Sequence, residues 1–158
     1  GDLYISDGYG NNRVDVFTAE GEYKWSWGQT EREGGVWDGD FNLPHNIWIH
    51  KDLVYVADRE NHRIQIFDLD GKHLETWTDF IQPTDIFIDS GGAVYVAELR
   101  NRMTIVDLNG RLLARWGRVP SVEPGMFIAP HAVWVDSHGD LYVGEVLEGQ
   151  RIQKFIRK

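Results

Sequence analysis

Pro44-His45-Asn46-Ile47-Trp48-Ile49 is the stretch from which the fold is predicted. The same phrase, a proline, two variable residues, then Ile or Val, an aromatic residue and Ile or Val, returns 39 residues later at Pro83 and 47 residues after that at Pro130. Recurrence at such intervals is typical of repeat architectures, in which each repeat is one supersecondary unit. The chain is therefore predicted to be built of repeats.

Each repeat contains several short runs of partly alternating apolar and polar residues. One run follows each phrase, at residues 53–57, 93–97 and 141–143, and a second run such as 64–67 comes next. Asp-Gly or Asn-Gly turn signals follow, and a last run ends in tryptophan. Helical periodicity is absent. The pattern predicts four short strands in each repeat.

Four-stranded units of this length predict an all-β chain of the β-propeller class, because one blade alone cannot bury its apolar faces. The chain is expected to hold about 3.5 blades of one partial propeller. The predicted parts are a blade remnant at 1–28, an insertion at 29–40, blades at 41–80 and 81–117, an insertion at 118–126 and a last blade at 127–158.

A propeller typically closes with 4 to 8 blades, more than this chain supplies. The ring is therefore expected to need either further N-terminal blades or a homo-oligomeric partner. Further blades are favoured, because an exposed sheet edge invites aggregation.

Composition excludes some partners. The 158 residues carry a net charge of −9, which repels a phosphate backbone, so nucleic acid is not expected as a partner. No stretch is apolar enough to predict a membrane span, and there is no cysteine. The compartment is not predicted, although a secreted or periplasmic location follows if a signal peptide precedes this sequence.

Two histidines occupy equivalent positions of the predicted innermost strands. His45, Thr84 and His131 each follow the proline of the repeated phrase, so they are expected to form a ring near the propeller axis. Three imidazoles with one open position make a catalytic zinc site, and histidines on alternate blades begin such a pattern. A hydrogen-bonded strand start without metal is an equally weighted alternative.

The turns between second and third strands carry a recurring acid, Asn and Arg, as in Asp58, Asn61 and Arg63. These residues are predicted to be structural, because carboxylates pair with arginine and cap backbone amides in turns. Tyr9 and Arg59 lie in the same turns at positions where the repeat requires neither residue type. A phenol can act as a base and an arginine can hold a carboxylate, so both are candidate catalytic residues, with surface packing as the alternative.

Trp37 differs from the other tryptophans because it lies in the first insertion. Burial against the blade is expected for it, in preference to an aromatic binding role.

The repeats resemble NHL repeats, with the clearest signature at Asp58-Arg59-Glu60-Asn61-His62-Arg63-Ile64-Gln65-Ile66-Phe67. More narrowly, Ser6-Asp7-Gly8-Tyr9-Gly10-Asn11-Asn12-Arg13-Val14, followed by Leu43-Pro44-His45 and Ala57-Asp58-Arg59-Glu60-Asn61, resembles the catalytic core of the peptidyl-α-hydroxyglycine α-amidating lyases. That family has a six-bladed propeller, so six blades are expected here.

The resemblance implies a function and a site. His45 and His131 would be zinc ligands, Tyr9 the base, and Arg59 the ligand of the substrate carboxylate. The substrate would be a small peptide or similar small molecule, and the implied reaction splits a peptidyl-α-hydroxyglycine into a peptide amide and glyoxylate. Calcium is not expected, because Ala132 follows His131 where the family has a calcium-binding aspartate. A third histidine is expected upstream, and activity only from a complete ring.

Two alternatives remain open at this point. The resemblance to NHL propellers also fits a non-catalytic platform that binds protein or RNA, which would need no metal, and the acidic charge balance argues against RNA. A calcium-dependent hydrolase of the lactonase type has a similar fold, and Asn46 and Asp85 of the inner strands would then be candidate calcium ligands. Zinc, calcium or no metal would distinguish the three interpretations.

Overall fold

Every regular element of the described chain is a β-strand. The computed structural model describes residues 1–29 and 35–158, and these contain 14 strands and no helix. They form two units, Gly1–Asp79 and Phe80–Lys158. The all-β prediction is confirmed. Residues 30–34 of the first predicted insertion lie outside the described residues.

The first unit contains two antiparallel sheets, each with its strands in sequence order. The first sheet has three strands and the second has four. The strands are β1 Leu3–Asp7, β2 Asn12–Phe17 and β3 Tyr23–Gln29, then β4 Pro44–His50, β5 Leu53–Asp58, β6 Arg63–Asp68 and β7 His73–Trp77.

The second unit repeats this plan with a four-stranded and a three-stranded antiparallel sheet. Its strands are β8 Pro83–Ile88, β9 Val94–Glu98, β10 Arg102–Val106 and β11 Leu112–Gly117, then β12 Pro130–Val135, β13 Leu141–Glu145 and β14 Ile152–Phe155. Consecutive strands joined by short turns are the blade pattern that the repeats predict. The number of blades in a closed ring stays a prediction.

Alternation along the strands builds the core of the first unit. Val54 and Val56 on β5 are fully buried and pack with Val14 of β2 and Phe67 of β6. Because side chains in a strand alternate between faces, the residues between them point to the other face of the sheet. The apolar residues of two neighbouring sheets thereby form one shared core.

Aspartates organise the turns that follow the first and third strands of the blades. The carboxylate of each aspartate accepts the backbone amides of the residues two and four positions later in the chain. The four aspartates are Asp68, Asp89, Asp107 and Asp136. A glycine with positive φ closes each turn, at Gly71, Gly92, Gly110 and Gly139. The turns predicted at Asp70-Gly71 and Asn109-Gly110 are confirmed.

The described part of the chain also contains no helix of the length and apolarity needed to cross a bilayer.

Candidate functional site

The second residue of each repeated phrase is the extra residue of a β-bulge. Pairing with the next strand runs from proline directly to the third residue of the phrase, so His45, Thr84 and His131 have no direct partner across the ladder. A bulge re-aims one side chain without ending the strand. The three positions that the sequence predicts to be equivalent therefore have equivalent backbone.

The residue immediately before the proline of each repeated phrase has a left-handed backbone conformation. The φ angles are 58° at Leu43, 51° at Gln82 and 50° at Ala129. Such angles are unfavourable for residues with a Cβ and persist only where neighbours hold them. Asparagine side chains do so in the first and third cases, because Asn12 Oδ1 accepts the amide of Leu43 at 2.8 Å and Asn101 Oδ1 accepts that of Ala129 at 3.1 Å.

A buried carboxylate lies opposite the proline of each bulge. Asp58, Glu98 and Glu145 end the second strands and each accepts the amide two residues before the proline, at 2.7, 2.5 and 2.6 Å. Each also pairs with the arginine that follows in its repeat, at 2.7 to 2.8 Å between the carboxylate and Nε. The predicted structural role of this acid and arginine is confirmed.

Asp58, which is the carboxylate of this set in the first unit, is 0% exposed. Asn61 Nδ2 donates to it at 2.9 Å and Gln65 Nε2 at 3.1 Å. Burial raises the pKa of Asp58, while the hydrogen bonds from Asn42, Asn61 and Arg63 act in the opposite direction. This network holds the turn that carries Arg59.

Tyr9 reaches the His45 bulge from the turn between β1 and β2. Its hydroxyl lies 3.2 Å from His45 Nε2, and the two rings meet edge to face with centroids 5.8 Å apart. Gly8 makes this approach possible, because a Cβ at Gly8 would lie 2.3 Å from the carbonyl oxygen of Pro44. The glycine of the Asp7-Gly8-Tyr9 motif is therefore a steric requirement for the contact.

Arg59 meets the same hydroxyl from the turn between β5 and β6. Its Nη1 donates to the Tyr9 oxygen at 3.2 Å, and its guanidinium carbon lies 5.6 Å from the centre of the Tyr9 ring. Its Nε donates to Glu60 Oε1 at 2.8 Å, and its backbone amide donates to Leu43 O at 3.3 Å. The structure thus brings together three of the four predicted site residues, Tyr9, His45 and Arg59.

The hydrogen-bond directions limit where protons lie in this group. The Tyr9 oxygen accepts from Arg59, so its own proton is available to His45 Nε2 when that nitrogen is unprotonated. In the other tautomer Nε2 donates to the phenol, whose proton then faces solvent. In both cases Tyr9 and His45 form one hydrogen-bonded pair beside the positive charge of Arg59.

The group is open to solvent. Tyr9 is 76% exposed, whereas only 14% of the Arg59 side chain is accessible. Beside Tyr9 is an open cleft of about 390 Å³, lined by the turn 8–12 together with Asn42 and Leu43. A small molecule therefore has access to the Tyr9 hydroxyl.

His131, the fourth predicted site residue, lies in the second unit among different neighbours. A cleft of about 510 Å³ beside it is lined mainly by residues of β12, β13 and the turn that follows, including Ala132, Val146 and Ile152. Val146 follows Glu145 as Arg59 follows Asp58. Arg100 lies two residues after Glu98 as Tyr9 lies two residues after Asp7. At these matched positions the second unit has neither the tyrosine nor the arginine that surround His45.

Thr84 fills the bulge between the two histidines with a structural contact. Thr84 is 1% exposed, and its hydroxyl oxygen lies 3.0 Å from Ala97 O and 3.1 Å from Pro130 O. Both acceptors are backbone carbonyls of the second unit. At Thr84 the bulge therefore joins strands and leaves no side chain accessible for ligand.

Neither unit forms a complete zinc site from its described residues. No group of three His, Cys, Asp or Glu side chains converges among them, whereas a catalytic zinc takes three protein ligands. His45 supplies one imidazole in the first unit and His131 one in the second. The described residues alone do not fit the metal.

Asp85, the candidate calcium ligand of the alternative interpretation, binds backbone. Its carboxylate accepts the amide of Val133 at 2.7 Å and that of Ile86 at 3.0 Å. Burial raises the pKa of Asp85 to about 6, because the effect of burial outweighs that of the two hydrogen bonds, which lower the pKa. Asp85 therefore links the inner strands β8 and β12 of the second unit.

The prediction that Trp37 is buried against the blade is wrong. The sequence predicts burial against the blade, but Trp37 is 76% exposed, and its neighbour Val36 is 67% exposed. The loop backbone, not the indole, is what the blade holds, because Arg63 donates to the carbonyl of Trp37 at 2.8 Å.

These sheets define the fold class of the protein as a β-propeller. One of its repeats matches the NHL repeat model, over residues 41–67. The matched stretch contains His45, Arg59 and Asp58, so the candidate site is built partly from the repeat itself.

Known relatives agree with this class. NHL repeat-containing protein 3 of Homo sapiens is 30% identical over 167 aligned residues, covering 99% of this chain and 47% of that protein. The chain thus spans about half the length of this relative. Peptidylglycine alpha-amidating monooxygenase of Rattus norvegicus is 39% identical over 74 residues, 46% of this chain and 8% of that protein. Peptidyl-alpha-hydroxyglycine alpha-amidating lyase 1 of Drosophila melanogaster is 36% identical over 73 residues, 42% of this chain and 14% of that protein.

Among solved structures, Kuenenia stuttgartiensis hydrazine synthase superimposes with a TM-score of 0.73 at 15% identity, over 97% of this chain and 42% of that chain. At this identity the likeness concerns the fold alone.

Proposed function

We propose that Tyr9, His45 and Arg59 form the proton-transfer part of a lyase site that cleaves a peptidyl-α-hydroxyglycine into a peptide amide and glyoxylate. The observation that carries this proposal is the Tyr9 hydroxyl, which lies 3.2 Å from both His45 Nε2 and Arg59 Nη1. The partial likeness to the amidating proteins supports the same reaction.

Arg59 would bind the carboxylate of the substrate. Its Nε and Nη1 are engaged by Glu60 and Tyr9, while Nη2 makes no hydrogen bond to any residue in the described ranges. An Arg–carboxylate hydrogen bond is charge-assisted and stronger than a neutral one. Binding there would place the α-hydroxyl of the substrate near the Tyr9 oxygen.

Tyr9 and His45 would move the proton of the reaction. The substrate hydroxyl loses its proton as its oxygen forms the new carbonyl, and the C–N bond breaks with its electron pair going to nitrogen. The nitrogen takes up one proton, so the products are the amide and glyoxylate with no net change in protons. Tyr9 would accept the hydroxyl proton, with His45 as the hydrogen-bonded partner that receives or returns it.

Zinc binding by His45 and His131 is a separate part of the proposal. A zinc ion would act as a Lewis acid toward the substrate hydroxyl. Because the described residues do not complete a three-ligand site, the proton transfer above is derived from Tyr9, His45 and Arg59 alone.

Metal content tests that part. We expect zinc to bind the propeller that contains this chain and to be lost in His45→Ala and in His131→Ala. The matched control is His138→Ala, because the His138 side chain is 83% exposed. Zinc retained in both site variants would overturn the assignment. Calcium instead of zinc would support the hydrolase alternative, and neither metal the binding platform.

Glyoxylate release from an N-acyl-α-hydroxyglycine tests the reaction in the propeller that contains this chain. Tyr9→Phe removes the hydroxyl and keeps the ring, so we expect a fall in kcat of about 10²- to 10⁴-fold. Tyr23→Phe is the matched control, because Tyr23 is also exposed and its hydroxyl contacts only Ser26 among the described residues. Equal activity in Tyr9→Phe and the unmodified protein would refute the role of Tyr9.

A further inference from the structure

A loop whose backbone is held by the blade exposes two large apolar side chains. The loop is residues 35–40, ahead of β4, and its exposed side chains are Val36 and Trp37 at 67% and 76%. Exposed apolar side chains that adjoin one another form a patch, and apolar patches mark binding surfaces, whereas single exposed apolar residues do not.

Three side chains of the blade fix the loop backbone. Asn61 Nδ2 donates to Gly35 O at 2.6 Å, and Arg63 donates to the carbonyls of Val36 and Trp37 at 3.0 and 2.8 Å. Gln65 Nε2 donates to Asp40 O at 2.7 Å, and Gln65 Oε1 accepts the amide of Gly39 at 2.9 Å. Because the backbone is already ordered, a ligand that packs on the two side chains loses little further conformational entropy.

The second unit contains a loop anchored in the same way. Arg151 donates to the carbonyl of Met126 at 2.8 Å and to that of Val122, and Gln153 donates to Met126 O at 2.7 Å and accepts from Gly125 N at 2.9 Å. This loop exposes Val119 and Val122 but has no aromatic residue. Anchoring therefore does not require a tryptophan, and the indole of Trp37 is an addition to the shared design.

The turn between β5 and β6 contains Arg59 and also binds the loop. Asn61, which binds the carbonyl ahead of Val36, is two residues after Arg59, and Glu60 between them donates its amide to Asn42 O at 3.0 Å. A cation and an apolar surface are thus carried by neighbouring parts of the same hydrogen-bonded segment.

We propose that Val36 and Trp37 bind an apolar side chain of a short peptide whose terminal carboxylate is held by Arg59. The use of Arg59 for the carboxylate rests on the proposed function. The charge of Arg59 favours the carboxylate end of a peptide, and the indole and Val36 favour an aromatic or aliphatic side chain next to it. The substrate class is therefore peptides with an apolar residue before the terminal position.

Binding of unreactive peptides tests this surface. Acetyl-Gly-Phe-Gly and acetyl-Gly-Ser-Gly, both with free carboxylates, are titrated into chain labelled with ¹⁵N at the tryptophan indoles. The Trp37 resonance is identified by its loss in Trp37→Ala. We expect it to shift on addition of the Phe peptide, with a Kd about tenfold lower than for the Ser peptide, since partial burial of a phenyl ring provides about 1.4 kcal/mol.

Two variants distinguish peptide binding at Val36 and Trp37 from binding elsewhere on the chain. Trp37→Ala should bring the Kd of the Phe peptide up to that of the Ser peptide, whereas Val122→Ala in the matched loop should leave the preference unchanged. A preference that survives Trp37→Ala, or equal Kd values in the unmodified chain, overturns the proposal. These peptides have no α-hydroxyl and cannot be cleaved, so the result is independent of whether glyoxylate is released.

Discussion

The His45 and His131 bulges have the same backbone and different surroundings. In both, a proline follows a left-handed residue, an asparagine holds that residue, and a buried carboxylate caps the amide just upstream. Around His45 the adjacent turns add Tyr9 and Arg59. At the matched positions for His131 the sequence has Arg100 and Val146, and Arg100 Nε donates to Gln82 instead.

This difference shows how the repeat separates scaffold from chemistry. The residues that form the bulge recur because each blade needs them to fix the start of its inner strand. The residues on the turn tips are not needed for pairing, so they vary between blades and determine what each bulge can bind. At the equivalent position in the next blade, the side chain is not accessible to a ligand, and the Thr84 hydroxyl links neighbouring strands instead.

Removing the carboxylate beneath each bulge should have the largest effect on stability. Asp58→Ala removes the buried carboxylate that accepts from Asn61, Arg63 and Gln65, and Arg63 then keeps its loop carbonyls and a more distant ion pair with Asp38 at 3.6 Å. We expect a loss of about 3–5 kcal/mol in the free energy of unfolding, measured with urea. Glu145→Ala should cost less, because Arg151 is more accessible at 25% of its side chain than Arg63 at 10%. Equal losses would mean that the two carboxylates contribute equally to the free energy of unfolding, against this expectation.

Protonation of Asp85 should make the second unit sensitive to pH. Its pKa of about 6 lies above the unfolded value of 3.8, so the folded state holds the proton more tightly. The resulting stability is fully present below pH 3.8 and is lost as pH rises through 6, by at most about 3 kcal/mol. Other carboxyl groups titrate too, so the test is the difference in unfolding free energy between the unmodified chain and Asp85→Asn from pH 4 to 7. A difference that does not change with pH contradicts this assignment.

A methyl group at Gly8 should separate Tyr9 from His45. In Gly8→Ala the new Cβ would overlap Pro44 O, so the turn must move, at a cost of about 2 kcal/mol. Gly10→Ala is the control, because a Cβ there meets no atom within 4 Å. We expect glyoxylate release to fall in Gly8→Ala and not in Gly10→Ala. Full activity in Gly8→Ala would show that the Tyr9 contact is dispensable.

Thr84→Val should have the smallest effect of these changes. The hydroxyl has one proton to share between Ala97 O and Pro130 O, so its loss should lower the free energy of unfolding by roughly 1 kcal/mol. Thr84→Ser keeps the donor and should recover most of that loss. If Thr84→Val is as stable as the unmodified chain, the hydroxyl does not join the strands.

Much of the site could be anticipated from sequence, because its framework repeats. The recurring phrase of proline, two variable residues, Ile or Val, an aromatic residue and Ile or Val indicated which residues are equivalent, and the paired acid and arginine indicated a structural network. The functions of Tyr9 and Arg59 came from their departure from the repeat and from a family resemblance. No sequence signal showed that Gly8 is in contact with Pro44 O, since that contact joins positions 36 residues apart.

The sequence by itself determined the strands, their turns and the equivalence of the bulge positions, because those depend on local alternation and on residues that recur at fixed spacing. The tertiary structure alone decided that Tyr9, His45 and Arg59 meet at one hydroxyl, and that Trp37 remains exposed. Both outcomes depend on packing between segments distant in sequence, where a single steric approach or a hydrogen bond to a loop carbonyl fixes the direction of a side chain.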